Sequence, residues 1–236
     1  MAVMKARFLW RAHRARLLDQ SVELDLIRRH IQPGDLVCDV GANKGSYLYW
    51  MARWADRAVA FEPQPGLASY LQSLVQTLPM RNVTVERKGV SDQSGVLELY
   101  TPSMNSPEAS LVPIAGAETI QVPVVSLDAY FQPSQRVALL KVDVEGAELG
   151  VFRGAERILT QDRPVLLFEC EQRHLPQGSV FDCFRHLEAR GYRGWFIHGK
   201  ALKPVAEFDL AIHQNATGER FWRSPDYCNN FFFKPE

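Results

Sequence analysis

Val37-Cys38-Asp39-Val40-Gly41-Ala42-Asn43-Lys44-Gly45 decides how this chain folds. Leu36 to Val40 is a short apolar run carrying one acid, the pattern of a buried strand. Gly41 to Gly45 is a tight turn. Tyr47, Trp50, Met51 and Trp54 then recur at helical spacing. A strand, a glycine turn and a helix together hold the polar end of a nucleotide-like ligand. Glycine lets the backbone approach the ligand, and the new helix points unpaired N–H groups at it. Glu62 ends the next apolar run, Ala58-Val59-Ala60-Phe61, and an acid at that strand tip is placed to accept from a ribose diol.

Two ligand classes use this device. A dinucleotide wants G-x-G-x-x-G, so that a pyrophosphate can sit on the backbone. Here the middle position is Asn43 and no third glycine is in register. Asp39 beside the turn repels a pyrophosphate but suits a cation. S-adenosylmethionine, with an ammonium and a sulfonium, is such a ligand.

The 236 residues fit one α/β domain with a sizeable core. Lys+Arg and Asp+Glu both number 27, and the zero formal charge argues against duplex nucleic acid as a partner. Cys38, Cys170, Cys183 and Cys228 lie far apart with no C-x-x-C pair, the pattern of buried reduced thiols in a cytoplasmic protein. No stretch approaches a membrane span, and the basic segment Met1 to Leu18 lacks a signal peptide's apolar core. Phe8, Leu9, Trp10, Leu17 and Leu18 form one face of a helix there. Docking of that face on the body is expected; peripheral contact with a membrane surface or a partner is the alternative. Residues 1–32 read as an N-terminal helical segment and 33–236 as the ligand-binding domain.

Further along, Leu67 to Leu78 is amphipathic. Asn82 to Glu86 reads as a third strand running through Gly89-Val90 to Ser91-Asp92, which would bring Asp92 to the same sheet edge as Gly41 and Glu62. Val96 to Tyr100 reads as an extra strand and Thr101 to Thr119 as a long irregular loop, often a sign of function. Val137 to Val142 is a strand ending in Asp143-Val144-Glu145-Gly146, followed by one helix through Leu159. Val165 to Phe168 ends in Glu169, and Trp195 to Ile197 and Asn230 to Phe233 are a late antiparallel pair. Strand–helix alternation makes a doubly wound, mostly parallel sheet with ligands outside the carboxyl strand ends. Asp39, Glu62, Asp92, Asp143, Glu145 and Glu169 all fall at or near such ends.

Asp39-Val40-Gly41-Ala42-Asn43-Lys44-Gly45, Phe61-Glu62-Pro63, Ser91-Asp92, Ser126-Leu127-Asp128 and Lys141-Val142-Asp143-Val144-Glu145-Gly146-Ala147-Glu148 resemble the FkbM family of S-adenosylmethionine-dependent methyltransferases. Phe168-Glu169 and Asn230 to Phe233 are also similar. The resemblance runs from about residue 35 onward. It implies a Rossmann-like class I methyltransferase sheet of seven strands whose last strand is antiparallel. It implies O-methylation of a hydroxyl on a sugar, glycolipid or natural product. By resemblance and position, Gly41, Asn43 and Gly45 shape the methionine end, Asp39 helps hold it, Glu62 binds the ribose, Ser91 and Asp92 border the adenine, and Asp143 lies nearest the methyl group.

Methyl transfer from a sulfonium is an in-line displacement that a general base assists. Asp143, Glu145, Glu169 and His174 are the candidates, and His174 alone has an ordinary pKa near neutrality. The same four can hold a divalent cation such as Mg²⁺, although no metal is expected to be required. His198 and His213 are isolated. The competing readings are a dinucleotide-dependent oxidoreductase, a non-catalytic cofactor-binding scaffold, and a nucleic-acid methyltransferase. The last is weakened by the neutral charge and by Asp143-Val144-Glu145-Gly146 where an Asn/Asp-Pro-Pro-Tyr/Phe motif would stand.

Overall fold

The computed structural model describes residues 2–103, 106 and 108–236. Met1 and positions 104, 105 and 107 of the expected loop lie outside the described residues. In chain order the elements are α1 (Ala2–Arg14), a π-helical turn (Ala15–Asp19), α2 (Ser21–His30), β1 (Leu36–Val40), α3 (Ser46–Trp54), β2 (Arg57–Phe61), α4 (Pro65–Thr77) and β3 (Val83–Glu86). They continue with β4 (Gly89–Val90), β5 (Gly95–Thr101), β6 (Glu118–Val125), α5 (Leu127–Tyr130), β7 (Val137–Val142), α6 (Glu148–Arg153), β8 (Val165–Glu169) and α7 (Val180–Glu188). The last are β9 (Tyr192–His198), β10 (Ala201–Pro204), α8 (Leu210–His213) and β11 (Asn230–Pro235).

The main sheet has the order β10-β9-β11-β8-β7-β1-β2-β3. Pairings β3–β2, β2–β1, β1–β7 and β7–β8 are parallel, and β11 runs antiparallel to both β8 and β9. The expected mostly parallel sheet with an antiparallel last strand is present, with eight strands rather than seven. The addition is β10, which folds back on β9 as a hairpin. Its sequence, Ala201-Leu202-Lys203-Pro204, is short and ends in proline, so it reads as loop; an edge strand tolerates that proline.

Strand alternation divides the core. Leu36, Cys38 and Val40 face one cluster, with Val151, Phe152, Phe168, Phe184, Phe196 and Phe231. Val37 faces the other, with Phe8, Ala12, Leu24, Ile27, Leu48, Met51 and Leu71. The N-terminal helices are therefore part of this second core. Phe8 stacks edge-on against Tyr49 with centroids 5.5 Å apart, and the Trp50 indole N–H donates to the Ala12 carbonyl at 2.8 Å. Phe8 docks as expected, but Trp10, Leu17 and Leu18 point to solvent. The buried face is instead Phe8, Ala12 and Ala15.

Two expectations need correction. The third strand ends at Glu86, and Gly89–Val90 leaves the main sheet to pair with β6 in a separate three-stranded sheet, β4-β6-β5. The helix after β7 is broken at Gly154. A Cβ there would lie 2.1 Å from the Ser91 carbonyl oxygen, and the Gly154 carbonyl accepts from the Asp128 N–H. Apolar spacing continues through the break, and only the close approach of another segment reveals it. All four cysteines are free and buried. Among the described residues, no helix is long and apolar enough to cross a membrane.

Candidate active site

Sheet order reverses between β1 and β7: the chain leaves β1 toward β2 on one side, and β7 lies on the other. Connections diverge there, and the carboxyl ends open into a crevice. Gly41 and Asp143 are the first residues past those two strands, and the Asp143 N–H donates to the Val40 carbonyl at 3.0 Å. Gly41 has φ +76°, and a Cβ on it would sit 1.8 Å from the Asp143 carbonyl oxygen. Only glycine permits this approach.

The turn is fastened from the next strand. Glu62 is buried just past β2 and accepts two backbone hydrogen bonds, from Asn43 N–H at 2.8 Å and Gln64 N–H at 2.9 Å. Asn43 takes φ +47°, a left-handed value that asparagine tolerates better than most residues. Burial outweighs the two N–H donors and pushes the Glu62 carboxyl up to about 7. Each of its oxygens keeps a lone pair beyond these bonds.

These residues line an open cleft of about 700 Å³, its open side included. Gly41, Asn43, Glu62, Asp143 and Glu145 all border it, with Phe61, Lys88, Gly89, Val90, Leu99 and Leu111. Three carboxylates face one lysine. Apolar side chains of β5 and its loop close one wall.

The remaining candidates fall elsewhere. Gly45 precedes α3 with φ +77° and packs on Leu71 and Phe8, shaping the turn from behind. Ser91 and Asp92 lie past the cleft wall, against Gly150 and Gly154; Lys88, Gly89 and Val90 occupy the wall where they were expected, because the third strand stops early. Asp39 is buried beneath the turn. Its cross-strand partner in register is Lys141, whose Nζ lies 3.3 Å from Asp39 Oδ1, 3.4 Å from Asp143 Oδ2 and 3.1 Å from the Gly41 carbonyl oxygen. Burial raises the Asp39 pKa against the opposing pull of Lys141. Burial works against the Lys141 charge too, but Asp39 and Asp143 more than offset it and hold the lysine charged. Asp39 therefore meets the turn through Lys141 and is not among the residues lining the cleft. Sequence reasoning passed over Lys141, although a lysine inside a buried apolar strand has to be paired.

Glu145, at φ +54°, stands where the cleft meets a second cavity lined by Ser110, Val112, Ile114, Arg173 and His174. His174 Nδ1 lies 3.0 Å from Glu145 Oε2. Burial disfavours the charged ring, but the hydrogen bond and charge of Glu145 hold His174 above its ordinary value. Burial also raises Glu145, against His174 and with the repulsion of Asp143. His174 Nε2 is buried without a hydrogen-bond partner among the described residues. Glu169 is held at the β8 edge by Asn229, whose side-chain N–H donates to Oε1 at 2.6 Å. Burial and three neighbouring carboxylates raise its pKa well above the ordinary range. The loop 143–147 is stapled by buried Glu148, which accepts from Gly146 N–H at 3.0 Å and Val144 N–H at 3.3 Å.

For a metal ion, the structure gathers Glu145, Glu171 and His174 within 4.8 Å, rather than Asp143 and Glu169. Glu171 is already engaged by Arg173, at 2.8 and 3.0 Å, and by the Tyr227 hydroxyl. That leaves Glu145 and His174, too few ligands for a dedicated cation site.

Comparison with known proteins gives these features a family. A family model described as the methyltransferase FkbM domain matches residues 39–193. The structure of methyltransferase FkbM from Methylobacillus flagellatus KT is similar at TM-score 0.56 and 15% identity, covering 98% of this chain and 54% of that one. This chain thus spans about half the length of that relative. A Streptococcus mutans methyltransferase candidate in complex with SAH matches at TM-score 0.54 and 9% identity, over 91% of this chain and 96% of the other. Precorrin-6y C5,15-methyltransferase from Geobacter metallireducens GS-15 matches at TM-score 0.51 and 11% identity, over 90% and 86%. No curated protein sequence matches. The structural likenesses carry the class I methyltransferase fold, and with the family match covering more than half its length, this chain belongs to the FkbM methyltransferase family.

Proposed function

We propose that this chain is an S-adenosylmethionine-dependent O-methyltransferase acting on a hydroxyl of a sugar, glycolipid or natural-product acceptor. The observation that carries the reading is the Gly41–Gly45 turn, clamped by buried Glu62 at the β1/β7 opening and bordered by Asp143. The residues fit the cofactor in two respects. A cleft with three carboxylates and one lysine suits a cationic ligand and repels a pyrophosphate. Glu62 has acceptor capacity left for a diol. Glu62 would take the ribose, Asn43 and the Gly41 backbone the amino-acid end, Lys88 to Val90 with Leu99 and Leu111 the flat base.

When bound, S-adenosylmethionine supplies a methyl group on a sulfonium. The chain's contribution is alignment and proton removal. The acceptor lies in the second cavity, and Glu145 on the shared wall sets the path between the two. His174 is the base that takes the hydroxyl proton, while Glu145 fixes the ring through Nδ1 and stabilises the imidazolium that forms. Asp143 orients groups at the junction with its carboxylate held by Lys141.

Calorimetric titration with S-adenosylhomocysteine, with NAD as control, tests the reading. Saturable binding of S-adenosylhomocysteine alone is expected and leads to an acceptor screen of glycans and natural-product alcohols. Binding of NAD alone would make the protein an oxidoreductase. Binding of neither would count against the methyltransferase reading and put a non-catalytic role ahead of it.

A further inference from the structure

Helix α1 buries one side and leaves the opposite side apolar. Val3 and Trp10 stand seven residues apart on one side of α1, and Leu17 and Leu18 follow in the π-helical turn at its end. They are 72%, 64%, 72% and 70% exposed. Isolated exposed hydrophobics are ordinary, but four on one short N-terminal segment are more than that. Residues 2–18 also hold five Lys or Arg and no acid, in a chain whose formal charge is zero. Arg14 stacks over Trp10 and pairs with Asp19. Beside these apolar residues runs a groove between α1 and α4 in which Arg7, Arg11 and Lys44 converge, with no carboxylate among its lining residues. Arg11 Nε is buried there without a partner among the described residues, while its Nη2 donates to the Tyr70 hydroxyl at 2.8 Å.

We infer that this face docks on an anionic lipid bilayer. The helix lies in the plane of the surface, with Trp10 and Leu17 in the headgroup–acyl boundary and Arg7, Arg11 and Lys44 against lipid phosphates. Such a surface offers negative charge and apolar depth at once, the two properties this face combines. A second copy fits poorly, since a two-fold contact would set these cations against their own duplicates. Docking is independent of what the cleft binds.

Flotation of the full chain with phosphatidylglycerol–phosphatidylcholine vesicles and with phosphatidylcholine vesicles tests this. Binding to the anionic vesicles alone is expected, weakening as salt shortens the screening length. The double variant Trp10→Ser/Leu17→Ser should weaken binding about tenfold or more, with an unchanged melting curve because both side chains are exposed. Arg7→Glu should weaken it as well. Equal binding to neutral vesicles, binding to neither, or native binding by the double variant would overturn the inference. So would a dimer in sedimentation that the double variant converts to monomer, because the face would then cover a second copy.

Discussion

Replacing Glu62 by alanine should separate binding from folding in a pH-dependent way. The native carboxyl stands at about 7 instead of 4.5. Between those values the folded chain keeps a proton that the unfolded chain has lost, so stability falls as pH rises through that window. Once both states are ionised, the penalty is about 3 kcal/mol. Against this, the carboxylate satisfies the Asn43 and Gln64 N–H groups, and orphaning each costs about 1–3 kcal/mol. At pH ~5 the native penalty is small, so Glu62→Ala should lose about 4 kcal/mol. At pH ~8 removal of the penalty offsets most of that loss. The difference between the two pH values, about 2 to 3 kcal/mol, does not depend on the hydrogen-bond figure. Glu148, also raised to about 7, is present in both proteins and cancels. Urea denaturation at both pH values measures the stabilities, and calorimetry measures S-adenosylhomocysteine affinity, which should fall about 10²-fold with two charge-assisted bonds lost. A destabilisation independent of pH would refute the electrostatic argument, and unchanged affinity would remove Glu62 from the cofactor site.

Lys141→Met should destabilise the fold by about 3–5 kcal/mol, because Asp39 is left buried and uncompensated; adding Asp39→Asn should recover part of the loss in the same denaturation assay. Gly146→Ala meets the His174 carbonyl oxygen at 2.3 Å from a backbone with φ +99°. It should cost about 1–3 kcal/mol and abolish methyl transfer while S-adenosylhomocysteine still binds. His174 is held above its ordinary 6.5 by Glu145. The rate should therefore rise with pH through a limb above 6.5 as the ring loses its proton, and His174→Gln should remove that limb; a limb that survives assigns it to another group.

Much of this molecule is legible in its sequence. Periods of two and 3.6 place nearly every strand and helix, and the Gly41–Gly45 turn announces the crevice, because strand identity and turn chemistry are local. Gly41, Asn43, Glu62, Asp143 and Glu145 meet in one cleft because each follows a parallel strand. What escaped is set by distant neighbours. Ser91 and Asp92 miss the cleft wall because the chain bends away after Glu86 to pair with β6, a choice made by residues 118–125. The break at Gly154 exists because Ser91 presses on it. Trp10 and Leu17 read as core by hydrophobicity, yet the small Ala12 and Ala15 let α1 lie close to the body with the opposite side turned inward.

The position of β11 has a consequence for how the sheet is made. It is the last strand in sequence, yet it lies in the interior, hydrogen-bonded to β8 on one side and β9 on the other. Until residues 230–235 have been synthesised, β8 and β9 have no neighbour between them and both present open edges. Phe231 and Phe233, which fill the core between Phe168 and Phe184, are also absent until then. The amino-terminal half, β1 to β3 with its helices, can assemble during translation, whereas the other half must wait for a contact spanning about 60 residues of chain. During that interval the two bare edges invite pairing with other nascent chains. Slow emergence of residues 230–235 would lengthen that interval.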